Sequence, residues 1–165
     1  MAPKLEKALT IRGYLLMEDV LQLGQTKGGA QRIIVPLSTG FIRGPDFEAK
    51  VLPSGSDWLS LDSTSGFGHL DVRINARSEE GDMIYAHYTG IIKMDAVTQK
   101  ILAGEPGVKT TKPEDHYFVS TPVFEVSSER LKWMEQSVFV SHGHFHIDDD
   151  GKPAVAWDVY KVVSQ

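Results

Sequence analysis

Short runs of alternating apolar and polar residues dominate the chain. The clearest example is a hairpin over 70–93. In its first arm Leu70, Val72, Ile74 and Ala76 face one way, and Asp71, Arg73, Asn75 and Arg77 face the other. The stretch 78–82, which contains Gly81, supplies the turn. The second arm puts Tyr85 and His87 on one face and Ile84, Ala86 and Tyr88 on the other. A period of two sends successive side chains to opposite faces of a sheet, so both arms are predicted strands.

Further strands are predicted at 8–16, 31–36, 47–51, 117–126, 137–142 and 154–163. In the first, Leu9, Ile11 and Leu15 share a side; the second is rich in β-branched residues. Two short helices interrupt the strands. Asp95 can cap 96–103, with Val97 and Ile101 four apart on one face and Gly104 as the stop. Ser128 can cap 129–135, turning Leu131 and Met134 or Trp133 toward a core. Many short strands punctuated by Gly and Pro predict a mainly β protein. An antiparallel β-barrel with two short helices is preferred over a sandwich, because closure removes exposed edges. The whole chain, 1–165, reads as a single barrel domain.

Composition narrows the function classes. Seventeen Lys and Arg stand against 22 Asp and Glu, a net charge of -5, which argues against nucleic acid as a partner. There is no Cys, hence no thiolate nucleophile, disulfide or Cys-bound metal. No apolar run approaches the roughly 18 residues of a membrane span, and the N-terminus lacks the pattern of a secretory signal. A cytoplasmic protein is the expectation. No Walker loop, dinucleotide fingerprint or G-x-S-x-G elbow occurs, so no cofactor is expected. Gly24 to Gly29 has the wrong spacing for a phosphate loop and reads as a hairpin turn.

The polar face of the hairpin carries Asp71, Arg73, Asn75, Tyr85 and His87. If the apolar face packs outward, these residues line a lumen and form a ligand site. If it packs inward, they form a solvated exterior. The alternation alone leaves both orientations open. A separate cluster, His142, His144 and His146, shares one strand face, with Asp148 nearby; this is an alternative metal site of cupin type.

Several motifs occur in a characteristic order. Gly44-Pro45-Asp46-Phe47 is followed by Val51-Leu52-Pro53-Ser54-Gly55-Ser56-Asp57-Trp58. Then come Leu70-Asp71-Val72-Arg73, Arg77-Ser78-Glu79-Glu80-Gly81, Ile84-Tyr85 and Leu102-Ala103-Gly104-Glu105. Tyr117-Phe118-Val119-Ser120-Thr121-Pro122-Val123-Phe124-Glu125, Trp133 and Ser137-Val138-Phe139-Val140 complete the set. From about Leu9 to Val163 the chain resembles the family catalogued as domain of unknown function 3237. The resemblance implies a small barrel similar to calycin and allene-oxide-cyclase barrels, often a homodimer, from bacterial and fungal genomes where such genes sometimes lie near those of aromatic or polyketide metabolism. It marks Asp57, Trp58, Asp71, Arg73, Tyr85, Tyr117, Phe118, Phe124 and Glu125 as characteristic positions, which favours the lumen orientation. Val119, Val123 and His116 depart from the pattern, which implies a more apolar pocket.

On this reading His87 or Asp71 moves a proton, and Arg73 with Tyr85 or Tyr117 holds an oxyanion. Asp57, Trp58, Phe118, Phe124 and Glu125 contact a small-molecule substrate. The expected function is a cofactor-independent isomerase, cyclase or lyase acting on a small cyclic carbonyl, phenolic or polyketide-like metabolite. The alternatives are a non-catalytic ligand-binding barrel and a metal-dependent enzyme built on His142, His144 and His146.

Overall fold

The alternating segments become long, paired strands in the computed structural model, which describes residues 2–164. They are β1 (Lys4–Leu15), β2 (Leu21–Gln25), β3 (Gln31–Arg43), β4 (Glu48–Val51), β5 (Ser56–Asp62), β6 (Phe67–Ser78), β7 (Met83–Lys93), β8 (Phe118–Val126), β9 (Phe139–Ile147) and β10 (Pro153–Val163). Every pairing is antiparallel. β1 pairs with β10 on one side and β3 on the other. The circuit β1–β10–β9–β8–β7–β6–β4/β5–β3 therefore returns to its first strand. β4 and β5 share the lane between β3 and β6. Beyond the end of β1, β2 continues along the same edge of β3. A barrel of about eight lanes is just wide enough for side chains to fill it, or to hold one small ligand.

Closure depends on a close approach at Gly40, which pairs with Gly13 of β1. Gly40 has φ +146°, and a Cβ there would lie 1.9 Å from the Arg12 carbonyl oxygen. Elsewhere the circuit is thinner. β8 and β9 share only the pairs Val119↔His142 and Ser120↔Ser141 among the described residues. Past those pairs other groups serve the two edges. Glu135 accepts from the Val126 N–H at 2.7 Å, and Lys132 donates to the Val126 carbonyl at 3.0 Å. The hydroxyls of Thr111 and Thr110 accept from the N–H groups of Phe145 and Ile147 at 3.0 and 2.9 Å.

The inner face is mostly apolar. Leu70, Val72, Ile74 and Ala76 of β6 and Ile84, Ala86 and Tyr88 of β7 are buried with Leu9, Ile11, Phe118, Phe145 and Trp157. This corrects the expected orientation of the hairpin. Its apolar face points into the barrel, and Asp71, Arg73, Asn75, Tyr85 and His87 lie on the outside. The reason is burial: among the described residues no apolar layer covers the barrel's outer face, so the lumen is where these side chains leave water.

The first helix, α1 (Ala96–Leu102), starts where Asp95 accepts from the Thr98 N–H at 2.7 Å. It buries Thr98 and Ile101, whereas Val97, expected inward, is 47% exposed. The second expected helix is a 3-10 turn, Glu129–Met134, that buries Leu131 and Met134 without a side-chain cap from Ser128. No helix among the described residues is long and apolar enough to cross a membrane.

Candidate functional site

A cavity of about 50 Å³ lies inside the barrel near α1. Its walls are almost wholly apolar, including Leu15, Leu37, Leu70, Val72, Phe118 and Phe145, with Leu102 of α1 beside them. Three side chains bring polar atoms to it: Asp57 of β5, Tyr88 of β7 and Trp157 of β10.

Asp57 occupies a break in the wall. The β5–β6 ladder pairs Ser56↔Arg73 and Asp57↔Val72, then lapses until Ser60↔His69. In the gap the Asp57 carboxylate, not a backbone carbonyl, accepts the Asp71 N–H at 3.1 Å. The Trp58 carbonyl is taken up from the other side by the Arg32 guanidinium. Asp57 is part-buried and contributes to the cavity lining. Burial raises its pKa from 3.8 to about 7. The Asp71 N–H opposes that rise, the Asp71 charge adds to it, and Arg32 opposes it. An acid balanced near neutrality can both take and return a proton.

Tyr88 is 4% exposed, and its hydroxyl oxygen accepts from the Trp157 indole N–H at 3.0 Å. Burial first, and the Asp57 charge second, push the phenol well above its ordinary pKa, so it stays protonated. Its own proton has no acceptor among the described residues. Trp157 is fixed from behind. Its ring lies 4.4 Å from that of Phe118, and both rest on Gly143. A Cβ at Gly143 would come within 2.7 Å of each ring. Gly143→Ala is therefore expected to cost about 1–3 kcal/mol, read by thermal unfolding, and to shift the indole N–H resonance of Trp157 as its bond to Tyr88 is disturbed.

The expected site residues divide between the two faces. Asp57 and Phe118 line the cavity. Phe124 is buried but packs against Phe139 at 5.4 Å, outside the cavity lining. Trp58 lies on the outer side, with the Arg73 guanidinium 5.2 Å above its ring. Asp71 and Arg73 are each 41% exposed and His87 31%; the Asp71 carboxylate accepts from Arg73 at 2.8 Å and lies 3.0 Å from His87 Nε2. Glu125 and Tyr117 are exposed, and Tyr85 is half-buried on the outer face. Tyr88 and Trp157 were not expected. The signal for Tyr88 was present, since it is the one polar tip on the apolar face of β7. His142, His144 and His146 share the outer face of β9 as expected. Alternation spaces them along the strand, and no three His, Asp or Glu side chains among the described residues come together to hold a metal.

The sequence profile described as "Protein of unknown function (DUF3237)" matches residues 3–162. The chain belongs to the DUF3237 family. Its relatives include a UPF0311 protein of Clostridium acetobutylicum, 29% identical over 127 residues, which are 76% of this chain and 77% of that one. A conserved protein of unknown function from Rhodopseudomonas palustris has the same fold at TM-score 0.82, with 25% identity and 99% of both chains covered. A protein from Acinetobacter baumannii, described as β-barrel like, matches at TM-score 0.74 and 24% identity over 98% of this chain and 97% of that one. The ordered motifs thus mark a DUF3237 chain, and the barrel they implied is the barrel found. Among the residues those motifs marked, Asp57 is the one whose carboxyl reaches the lumen of this DUF3237 barrel.

Proposed function

We propose that the protein is a cofactor-independent enzyme of proton transfer, acting on a small cyclic carbonyl or phenolic compound held in the barrel. The observation that carries this reading is one acid, balanced near neutrality in an apolar cavity that also holds an uncommitted phenol donor. Asp57 as carboxylate removes a proton from carbon next to a carbonyl, or from a phenol. Tyr88 donates its O–H to the oxyanion that forms, and the Trp157 N–H on the Tyr88 oxygen strengthens that donor. The apolar walls exclude water, so both interactions act in a medium of low dielectric. Asp57 then returns the proton. Return to a different carbon is isomerisation, and ring closure by the anion is cyclisation. Expulsion of a leaving group is a lyase step, with the proton passing to that group. Phe118, Phe145 and Trp157 offer flat walls suited to a ring. The outward Asp71, Arg73 and His87 do not touch the substrate on this reading.

Deuterium exchange at the α-carbon tests it. Small cyclic ketones are incubated with the protein in heavy water, and the lost C–H signal is followed by NMR. Exchange is expected to rise with pH through a midpoint of about 7, where Asp57 becomes a base. Tyr88→Phe should slow it about 100-fold, the scale of losing one oxyanion donor. A ketone that binds saturably in the cavity but never exchanges at any pH overturns the catalytic reading in favour of a carrier. The small, nearly apolar cavity is the feature that favours that second reading.

A further inference from the structure

The outward cluster of Asp71, Arg73, His87 and Trp58 is a set of charged and aromatic groups that the cavity chemistry leaves unused. It is ordered rather than loose. Asp71 binds Arg73 and His87 through the same carboxylate oxygen, and Arg73 lies over Trp58. It also stands directly behind the ladder gap. The residue whose N–H holds the Asp57 carboxylate is Asp71 itself. One residue thus binds the inner acid with its backbone and the outer Arg73 and His87 with its side chain. In the lapse between Asp57↔Val72 and Ser60↔His69 a side-chain carboxylate bonds the Asp71 N–H, so the inner acid and the outer network meet on one residue.

We propose that the outward Asp71–Arg73–His87 network is a positioning element that controls the charge state of Asp57 through the gap in the β5–β6 ladder. The proposal rests on reading Asp57 as the cavity base and adds what governs it. Arg32 of β3, Asp71 of β6 and Tyr88 of β7 interact with Asp57, and Arg73 of β6 and His87 of β7 are joined to it through Asp71. An unpaired Asp71 carboxylate behind the gap discourages ionisation of Asp57. Arg73, and His87 when protonated, neutralise Asp71 and relieve that pressure. The outer face therefore acts on the inner acid without touching substrate. A cation or anion bound at Arg73 or His87 would change proton transfer inside the barrel. The direction matches the part the Asp71 charge plays in raising the Asp57 pKa.

The test is a pH titration of the full chain labelled with ¹³C at Asp carboxyls, following Asp57 directly. Asp71→Asn keeps the backbone N–H and removes the charge; the Asp57 midpoint should fall by about one pH unit. Arg73→Met leaves Asp71 in place but unpaired on that side; the midpoint should rise. A purely structural role predicts no such pair of opposite shifts. The Trp157 indole N–H resonance, held by Tyr88, reports that the barrel is intact in each variant. An unmoved midpoint in either folded variant, or shifts of the same sign, overturns the proposal. If Asp71→Asn does not fold, the direction seen in Arg73→Met decides alone. Absence of ketone exchange would end the catalytic reading without altering these midpoints, so the two failures are distinguishable.

Discussion

Asp57→Asn is expected to stabilise the protein above neutral pH while removing proton transfer. The sign follows from linkage. Burial raises the folded pKa of Asp57 from 3.8 to about 7. Between those values the folded chain keeps a proton that the unfolded chain has released. Stability therefore falls as pH rises through this window and is flat with respect to this group above about pH 7. The displacement corresponds to at most about 4 kcal/mol. Asparagine does not ionise, and its side-chain oxygen can still accept the Asp71 N–H. The difference in stability between variant and parent should grow from about pH 4 to about pH 7 and then level off. Urea unfolding at pH 4, 6 and 8 measures it. A constant offset across the series would remove the buried, ionisable Asp57 on which the site depends. In the same variant, exchange at the ketone α-carbon should drop to the level of buffer, because no other carboxyl reaches the cavity among the described residues.

Gly40→Ala is expected to be among the most damaging single changes in the chain. The new Cβ would stand 1.9 Å from the Arg12 carbonyl oxygen, and the backbone at φ +146° disfavours any side chain. The clash is with backbone, so no rotamer relieves it. A cost of about 4 kcal/mol or more, the exceptional end of single substitutions, follows. The damage should be local at first. Amide hydrogen exchange should accelerate at the β1–β3 pairs Thr10↔Arg43 to Leu15↔Leu37 before it does so in the β6–β7 hairpin. A melting temperature within a degree or two of the parent would mean that β1 and β3 are not held together at this point.

Much of the barrel was legible in alternation. The β6–β7 hairpin, β8 and β10 lie close to where the pattern put them, because one face of each is buried and the other wet. β2 and β5 were missed for opposite reasons. β2 is exposed on both faces, so burial imposes no pattern on it. β5 carries Asp57 at an inward position, and that acid interrupts the alternation that would have revealed the strand. The residue that makes the site thus obscured its own strand. The motif positions point the polar face of the hairpin toward the lumen, whereas burial turns its apolar face inward. Asp71 stands instead behind Asp57, at the ladder gap, and Arg73 pairs with Ser56 next to it. Tyr88 was assigned to the apolar face from periodicity alone, yet only the structure brings Trp157, 69 residues away in sequence, to its hydroxyl.

The thin joint between β8 and β9 bears on how large a guest the barrel can take. A hoop hydrogen-bonded continuously around its girth has a fixed bore. This one is spliced at two residue pairs and otherwise held by Thr110, Thr111, Lys132 and Glu135 from neighbouring segments. Side-chain clasps of that kind exchange partners at far lower cost than a ladder unzips. The β8–β9 joint is therefore a place where the girth can adjust, and Phe118 and Phe145 stand on its two strands. The cavity of about 50 Å³ is smaller than a ring-sized guest, and the splice is where such a guest would widen it.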